Sequence, residues 1–443
     1  MLQYSKYNHL AKIPDEDACV LYNFRTGSFL RLDAFQKAVF ESALDMPEKS
    51  TAMKAFRQGG FVVAYDELRH MRTEALVAGG RGNIFGLTIC PTLACNFSCP
   101  YCFERARSGR MSKEVQDSIV DFTRETLKKM ELTCLDVQWY GGEPLLCPDI
   151  IESLSERLIA VCHELGVEYL ARILTNGWFL TKENVDMLER AQVAFMQITL
   201  DGPNPESNDH LRRSKDGGSS FRRIMENLEN LRPIAVKPPK GYPPETKLPR
   251  VQVRCNVNKG NAPLYDALAE RIREISQKTG VDIFSYPAKM DSSDENEKNI
   301  RSRTLASEEY GKSISADALV SRMHARYSKI YCMAQYPHGY VVDELGNLYK
   351  CSESVGRNEY VVGNVRDFAL WKEPGAGIAI LDSFFETLFP ENDKECMECK
   401  FFPLCLGGCP LKRVQKKRDC WAMKENPDDF VLAQYRARKD RNH

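Results

Sequence analysis

Residues 84–104 read IFGLTICPTLACNFSCPYCFE, an apolar run of strand length followed closely by three cysteines. The run predicts a buried β-strand, and Cys95, Cys99 and Cys102 fall in the loop after it. Three thiols are one fewer than a closed tetrahedral metal site requires. The stretch is therefore compatible with a zinc site completed by a distant residue, with part of a disulfide framework, or with a cluster that leaves one coordination position open.

The composition favours a protein of the cytoplasm with reduced thiols. The chain has 443 residues, enough for two or three domains, and its 61 Lys and Arg balance its 61 Asp and Glu. This balance points to neither nucleic acid nor an anionic membrane as partner. The first residues lack the apolar run of a signal peptide, and no stretch of about 20 apolar residues could span a bilayer. Because thiols stay reduced in the cytoplasm, the sixteen cysteines favour metal ligation over disulfide bonds.

A repeated strand-then-helix rhythm begins at the opening stretch. Its six apolar runs read IFGLTIC, CLDVQWY, YLARILT, FMQITL, RVQVRCNV and VDIFSYP, with helical patterns between several of them. Strands alternating with helices favour an α/β fold with a parallel sheet and right-handed crossovers. Six units fit a partial (β/α)6 TIM barrel better than a closed barrel of eight. In such folds the chemistry lies in the loops after the strands.

The informative residues occupy those loops. The three cysteines follow the first strand, GGEP (141–144) the second, TNG (175–177) the third and the Asp201–Gly202 pair the fourth. Glycine lets the backbone approach a ligand closely, and Glu143 could accept a hydrogen bond from an amino group. Thiolates hold iron–sulfur clusters, so three cysteines on one loop could bind three irons of a cubane and leave the fourth free for a small molecule.

A cysteine-poor segment precedes this region, and a cysteine-rich segment follows it. Residues 1–80 read as an α+β unit, in which ACVLYNF and SFLRLD are joined by RTG with Gly27 at a hairpin turn. A charged connector precedes a C-terminal segment that contains seven of the cysteines. We therefore predict domains at 1–80, 84–310 and 325–443.

The cysteine triplet, with the aromatic Tyr101 before its last member, closely resembles the signature of radical S-adenosylmethionine (SAM) enzymes. The resemblance implies a [4Fe–4S] cluster whose free iron binds SAM, and a 5′-deoxyadenosyl radical that abstracts a substrate hydrogen. The TLDGPNPESNDHLR stretch (199–212) resembles the family's LDG…HDxxR segment, with Asn208 where the family has histidine. The resemblance thus implies cluster, SAM or active-site contacts at Cys95, Cys99, Cys102, Tyr101, Gly141, Gly142, Glu143, Pro144, Thr175, Asn176, Asp201, Arg212, Arg254 and Asn256. For either arginine, a structural ion pair is the alternative.

The C-terminal cysteines match the seven-cysteine SPASM pattern at every spacing. Cys332 is followed by x13-Gly-x4-Cys351 and later by Cys396-x2-Cys399-x5-Cys405-x3-Cys409-x10-Cys420. The resemblance implies two auxiliary [4Fe–4S] clusters, and thus three clusters in all. Their ligands would be Cys396, Cys399, Cys405 and Cys420 for one, and Cys332, Cys351 and Cys409 for the other. A zinc ribbon is the alternative, because C-x2-C pairs often hold zinc.

This assignment leaves the second auxiliary cluster one ligand short. The segment before Cys332 contains no cysteine, and His324 is the nearby candidate ligand. The fourth iron is thus expected to be open, or bound by His324 or an outside thiol. An open iron could bind a substrate cysteine as thiolate.

The function expected from these resemblances is the maturation of a ribosomally made peptide. Residues 1–80 resemble the winged-helix-like modules of such maturases, which bind a leader peptide by strand addition; a domain that only packs on the barrel is the alternative. A thioether between a Cys sulfur and a carbon is favoured, with flavodoxin or ferredoxin as electron donor. A formylglycine-forming oxidase of the anaerobic sulfatase-maturase type, a carbon–carbon crosslinking maturase and a non-catalytic zinc scaffold are the alternatives. The sequence does not specify the peptide or the oligomeric state.

Overall fold

The structure is a computed structural model that describes residues 1–80, 83–237, 240, 248–289, 332–367, 377–418, 420, 424 and 426–439. These residues form two compact units. We call the described residues within 1–81, 306–335 and 385–443 the terminal unit, and those within 82–305 and 336–384 the barrel unit. In the described ranges, no helix is both long enough and apolar enough to cross a membrane.

The strands, in chain order, are β1 (Gln3–Tyr4), β2 (Asn8–Lys12), β3 (Ala18–Asn23), β4 (Phe29–Asp33), β5 (Val62–Val63), β6 (Ile84–Ile89), β7 (Cys134–Trp139), β8 (Glu168–Thr175), β9 (Val193–Thr199), β10 (Arg250–Val257), β11 (Asp282–Lys289), β12 (Gly339–Val342), β13 (Asn347–Tyr349) and β14 (Gly363–Asn364). The α-helices are α1 (Ala34–Glu41), α2 (Thr51–Gln58), α3 (Glu67–Gly80), α4 (Lys113–Lys129), α5 (Pro148–Leu165), α6 (Lys182–Arg190), α7 (Pro205–Asn208), α8 (Ser220–Glu229), α9 (Tyr265–Thr279), α10 (Ile378–Glu386), α11 (Lys394–Glu398), α12 (Phe402–Cys405), α13 (Pro410–Val414) and α14 (Pro427–Lys439).

The barrel unit contains a nine-stranded sheet in the order β11-β10-β9-β8-β7-β6-β12-β13-β14. Strands β6 to β11 are all parallel, and each is hydrogen-bonded to its neighbour in the sequence. In a (β/α) barrel, neighbouring strands follow one another in the sequence, as they do here. In a doubly wound sheet, the strand order reverses near the middle of the sheet. The predicted α/β fold with six parallel strands is therefore confirmed. Strand β12 adds a parallel neighbour to β6, and β13 and β14 continue antiparallel.

Apolar periodicity explains why these segments form strands and crossover helices. In β7, Leu135, Val137 and Trp139 are fully buried, and the residues between them are half-buried, which is the period of two expected of a strand. Helix α4 begins after Ser112, whose side chain accepts a hydrogen bond from the helix backbone. Helix α5 ends at Gly166, which adopts a left-handed conformation with φ of 65°. Because β6 to β11 are parallel, the loops that follow them lie at the same edge of the sheet.

The N-terminal part of the terminal unit is a three-stranded antiparallel sheet in the order β2-β3-β4. The predicted hairpin is present as β3 and β4, and Gly27 has the expected positive φ of 67°. One side of this sheet packs on α1 and α2. The core there is apolar and includes Leu21, Leu32, Phe40, Met53, Phe56 and Phe61.

Aromatic residues join this sheet to the C-terminal cysteine segment within the terminal unit. Phe24 is fully buried, and its ring centroid lies 4.3 Å from that of Phe401, which stands between Cys399 and Cys405 in the sequence. Phe430 of α14 packs on Phe24 as well, with centroids 6.1 Å apart. The sheet and the cysteine segment therefore share one hydrophobic core.

We predict that Phe24→Ala loosens the cysteine segment as well as the sheet. Removal of a buried phenylalanine ring costs about 3–5 kcal/mol. The expected result is faster amide hydrogen exchange in residues 396–405 and in β3. Phe35→Ala is the matched control, because Phe35 is 77% exposed and its loss should leave exchange unchanged. Normal exchange in 396–405 of Phe24→Ala would contradict the shared core.

Candidate functional site

An open cleft lies in the barrel unit at the carboxyl ends of β6 to β10. Most of the predicted first-cluster and SAM residues line it. They are Cys95, Cys99, Cys102, Tyr101, Gly141, Gly142, Thr175, Asn176, Arg212, Arg254 and Asn256. Residues far apart in the sequence thus converge on one cavity. Glu143, Pro144 and Asp201 are buried and do not line the cleft.

The cysteine loop is held by hydrogen bonds to its backbone and to its side chains. Lys215 donates from Nζ to the carbonyl oxygen of Cys95 at 2.7 Å, and its N–H donates to the carbonyl of Asn96 at 2.9 Å. Asn176 donates from Nδ2 to Asn96 Oδ1 at 2.7 Å and to Cys95 Sγ at 3.9 Å. Residues 176 and 215, which are distant in the sequence, therefore hold the start of the cysteine loop at Cys95 and Asn96.

Two glycines allow the end of β7 to pack directly against this loop. A Cβ on Gly142 would lie 2.3 Å from the carbonyl oxygen of Ala94, and one on Gly141 would lie 2.3 Å from that of Thr92. Gly141 also has a φ of 118°, which side chains rarely adopt. The N–H groups of Gly142 and Glu143 donate to the carbonyls of Thr92 and Ala94, at 3.2 and 2.9 Å.

Glu143 connects the GGEP and TNG segments. Its fully buried carboxylate accepts hydrogen bonds from Thr175 Oγ1 at 2.8 Å, from the N–H of Asn176 at 2.7 Å and from the N–H of Leu145 at 3.0 Å. Burial raises the pKa of this carboxyl, and the hydrogen bonds oppose the shift. Glu143 therefore holds the residues of the cleft wall in place, although it does not line the cleft itself.

A buried polar network stands under the cleft around Tyr101. The Tyr101 hydroxyl donates to Asp201 Oδ2 and accepts from Arg212 Nη1 at 3.0 Å and from Asn256 Nδ2 at 3.4 Å. Asp201 also accepts from the N–H of Asn256 at 2.8 Å. Burial raises the pKa of Asp201, and Arg212 opposes that shift by its charge. The network links the residue before the last cysteine to β9, β10 and the Arg212 loop.

Asn208 performs a structural function at the position where the resembling family has histidine. Its Oδ1 accepts from the N–H of Asp201 at 2.9 Å, and its Nδ2 donates to Ser220 Oγ at 2.9 Å. The side chain is fully buried. An amide both accepts and donates, so Asn208 can hold Asp201 in place without an imidazole.

The cleft fits an anionic ligand beside three cysteine thiols. Arg212 is 5% exposed, and its buried Nε has no hydrogen-bond partner in the described part of the chain. A carboxylate placed at the cleft wall could accept from it. Burial raises the pKa of Cys95 to about 11, so cluster ligation would release its proton. In the same described part, no three His, Cys, Asp or Glu side chains are grouped around one metal-ion position.

A second cysteine-lined cavity lies in the terminal unit. Four of the predicted auxiliary ligands line it together: Cys396, Cys399, Cys405 and Cys420. Burial raises the pKa of Cys405 to about 12. Arg413, Arg418 and Phe401 complete much of the wall. Four thiols around one cavity are the donor set that a [4Fe–4S] cluster requires.

The ligands predicted for the other auxiliary cluster are distributed over both units. Cys332 and Cys409 are half-buried residues of the terminal unit, and Cys351 is a half-buried residue of the barrel unit. Their assignment to one cluster stays a prediction. His324, considered as a fourth ligand, lies outside the described residues.

Several cleft residues were missed from the sequence. Gln197 and Thr199 line the cleft from β9, and Gln197 Oε1 accepts from the Tyr286 hydroxyl at 2.7 Å. Polar residues alternating within the apolar run FMQITL were the available signal. Glu104 also lines the cleft, and burial raises its pKa to about 8. No spacing rule singled out Glu104.

We predict that Gly142→Ala prevents assembly of the first cluster. The added methyl group would collide with the carbonyls of Leu93 and Ala94, so the cysteine loop must move. Anaerobic reconstitution should then yield about four fewer irons per chain. The control is Gly280→Ala. Gly280 also has a positive φ, of 69°, but no atom lies within 4 Å of the added methyl group. This variant should therefore keep the iron content of the parent. Parental iron content in Gly142→Ala would contradict this prediction.

Comparison with known proteins gives a family match and distant relatives. Residues 89–240 match the Radical SAM superfamily. The mycofactocin maturase MftC of Mycobacterium ulcerans is 24% identical over 339 residues, which cover 72% of this chain and 80% of the relative. The PqqA peptide cyclase of Ruegeria pomeroyi is 28% identical over 126 residues, 28% of this chain and 31% of the relative.

A solved structure has a similar fold. That of anSMEcpe with bound AdoMet and the Cp18Cys peptide has a TM-score of 0.57 at 18% identity, covering 80% of this chain and 98% of the other. The superfamily match includes the cysteine triplet, GGEP, TNG and Arg212, and it implies a [4Fe–4S] cluster and SAM. Residues 89–240 are therefore similar to the Radical SAM superfamily, and 72% of the chain is similar to a mycofactocin maturase.

Proposed function

We propose that this protein installs a thioether in a ribosomally made precursor peptide, between a cysteine sulfur and a carbon. The observation that carries the proposal is the convergence of the triplet thiols, the two glycines and Arg212 on one cleft. The similarity to a mycofactocin maturase over 72% of the chain supports a peptide as substrate. When bound, the cluster and SAM supply a 5′-deoxyadenosyl radical that removes a hydrogen atom from the peptide.

We assign different cleft residues to binding the cluster, to binding SAM and to keeping the cleft wall in place. Cys95, Cys99 and Cys102 would hold three irons of the first cluster. Arg212, with its unpartnered buried Nε, would bind the SAM carboxylate. Glu143 keeps the GGEP and TNG segments together, so the backbone at Gly141 and Gly142 stays open to the SAM amino group.

Tyr101, Asp201 and Asn256 would keep the floor of the cleft rigid and closed to water. The Tyr101 hydroxyl is bonded to Asp201, Arg212 and Asn256. Burial holds its pKa well above the usual value, so the phenol stays protonated. A floor whose polar groups are hydrogen-bonded to one another would help to protect a reactive radical from side reactions.

The N-terminal sheet would bind the leader of the precursor. Strand β4 pairs with β3 along one edge, and none of the described strands pairs with its other edge. A free edge can accept an extended peptide as an additional strand. The shared core of Phe24 and Phe401 would then connect leader binding to the four-cysteine cavity.

The auxiliary cysteines would complete the reaction. Forming a thioether removes two hydrogens from the peptide: one leaves on deoxyadenosine, the thiol loses a proton, and one electron must leave the product. We assign a [4Fe–4S] cluster at Cys396, Cys399, Cys405 and Cys420 as the acceptor of this electron. The cluster at Cys332, Cys351 and Cys409 would bind the substrate sulfur. A cytoplasmic flavodoxin or ferredoxin would supply the reducing electron.

We predict that replacing Cys95, Cys99 and Cys102 together by alanine abolishes SAM cleavage. Iron content should fall from about twelve to about eight per chain, since one cubane of three is lost. Deoxyadenosine formed with SAM and dithionite under anaerobic conditions should fall at least about a hundredfold, because no cluster remains to reduce SAM. Cys134→Ala is the control, since Cys134 lines neither cavity. A parental protein that binds zinc and no iron would refute the radical reaction.

We predict that co-expression with the precursor peptide, to be sought among small reading frames beside the gene, yields a product two hydrogens lighter per modification. A thioether removes the modified cysteine from alkylation by iodoacetamide, whereas a carbon–carbon crosslink leaves that thiol reactive. Formylglycine would instead react with hydrazide probes. Mass spectrometry of the isolated peptide, before and after each reagent, distinguishes the three products. Retention of every alkylatable cysteine would exclude the thioether.

A further inference from the structure

Arg413 contacts a cysteine of the four-cysteine cavity in the terminal unit. Its Nη2–H donates to Cys396 Sγ at 2.6 Å. Its Nη1–H donates to Asp393 Oδ2 at 2.5 Å, and its Nε–H donates to the carbonyl oxygen of Gly407 at 2.7 Å. Each of the three guanidinium nitrogens therefore donates a hydrogen bond, and one of these bonds goes to a predicted cluster ligand.

The local backbone fixes this contact. Asp393 caps helix α11 and accepts from the N–H of Cys396 at 3.3 Å, so one carboxylate orients both Arg413 and the cysteine. Gly407 has a φ of 91°, and a Cβ there would lie 3.2 Å from Arg413 Nη2. Glycine thus leaves room for the guanidinium. The side chains of Arg413 and Asp393 are 13% and 11% exposed, so water screens the charge weakly.

We propose that Arg413 is a positioning residue that raises the reduction potential of the cluster held by Cys396, Cys399, Cys405 and Cys420. The inference rests on the proposed function, which assigns a cluster to this cavity. Reduction adds one negative charge to a cluster, and a cationic N–H donor to a ligand sulfur stabilises that charge. A higher potential favours this cluster as the acceptor of the electron released during crosslinking.

Arg418 provides a matched control in the same cavity wall. It donates to Asp393 from Nε at 3.0 Å and from Nη2 at 2.9 Å, and to Glu395. Its side chain is 46% exposed. Its hydrogen bonds go to carboxylates, whereas Arg413 also donates to sulfur. Removing either arginine changes the net charge equally, so the comparison separates a buried arginine that contacts the sulfur from a more exposed one that does not.

The test is an EPR-monitored redox titration of the reconstituted full chain. Cys95, Cys99, Cys102, Cys332, Cys351 and Cys409 are replaced by alanine, so that only the cluster in question remains. Arg413→Gln should shift the midpoint potential to a more negative value. Arg413→Lys, which keeps the charge but not the planar fork, should give a smaller shift in the same direction. Arg418→Gln should stay close to the parent.

Three results would overturn the proposal. Arg413→Gln with full iron and an unchanged potential would refute it, as would an equal shift in Arg418→Gln. If Arg413→Gln loses its iron, Arg413→Lys decides, and a parental potential in that variant refutes the role. Absence of iron from the parent would instead refute the proposed cluster itself, so the two failures are distinguishable by the iron assay.

Discussion

The close packing of the cysteine loop on Gly141 and Gly142 is the contact on which the barrel site depends. Carbonyl oxygens of residues 92–94 occupy the space that two Cβ atoms would take. This approach lets the backbones of the two loops form hydrogen bonds, and the three thiols line the cleft beside them. A side chain at either glycine would separate the loops. The geometry of the cleft is therefore set by the absence of two methyl groups.

Buried polar groups then make that geometry specific. Glu143 and Asp201 are both fully buried, and each accepts hydrogen bonds from different loops. An unsatisfied buried carboxylate costs far more than an exposed one, so these loops are held in the arrangement that satisfies it. Glu143 fixes the wall of the cleft, and Asp201 fixes its floor. Neither carboxylate needs to contact a ligand in order to determine how one binds.

Much of the barrel could be predicted because its signals are local. Each strand is an apolar run, and the cysteines and glycines follow the strands directly in the sequence. The pairing of β12 with β6 could not be predicted in this way, because Gly339–Val342 is a short run far along the chain from its partner. The function of Asn208 was also hidden, since only the contacts with Asp201 and Ser220 show that an amide suffices there. Arg413 lies in the basic run LKRVQKKR (411–418), whose pattern gives no sign of the contact with Cys396.

The order of segments in the chain also conceals which parts of the protein fold together. Residues at its two ends form the terminal unit, and the rings of Phe24, Phe401 and Phe430 lie in a common core. Buried aromatic rings contribute several kcal/mol each, so neither the sheet nor the cysteine segment reaches its full stability alone. Phe401 also lines the four-cysteine cavity. Phe401 therefore belongs both to the core beneath the sheet and to the wall of the cavity, so a change in the packing of one reaches the other through this side chain.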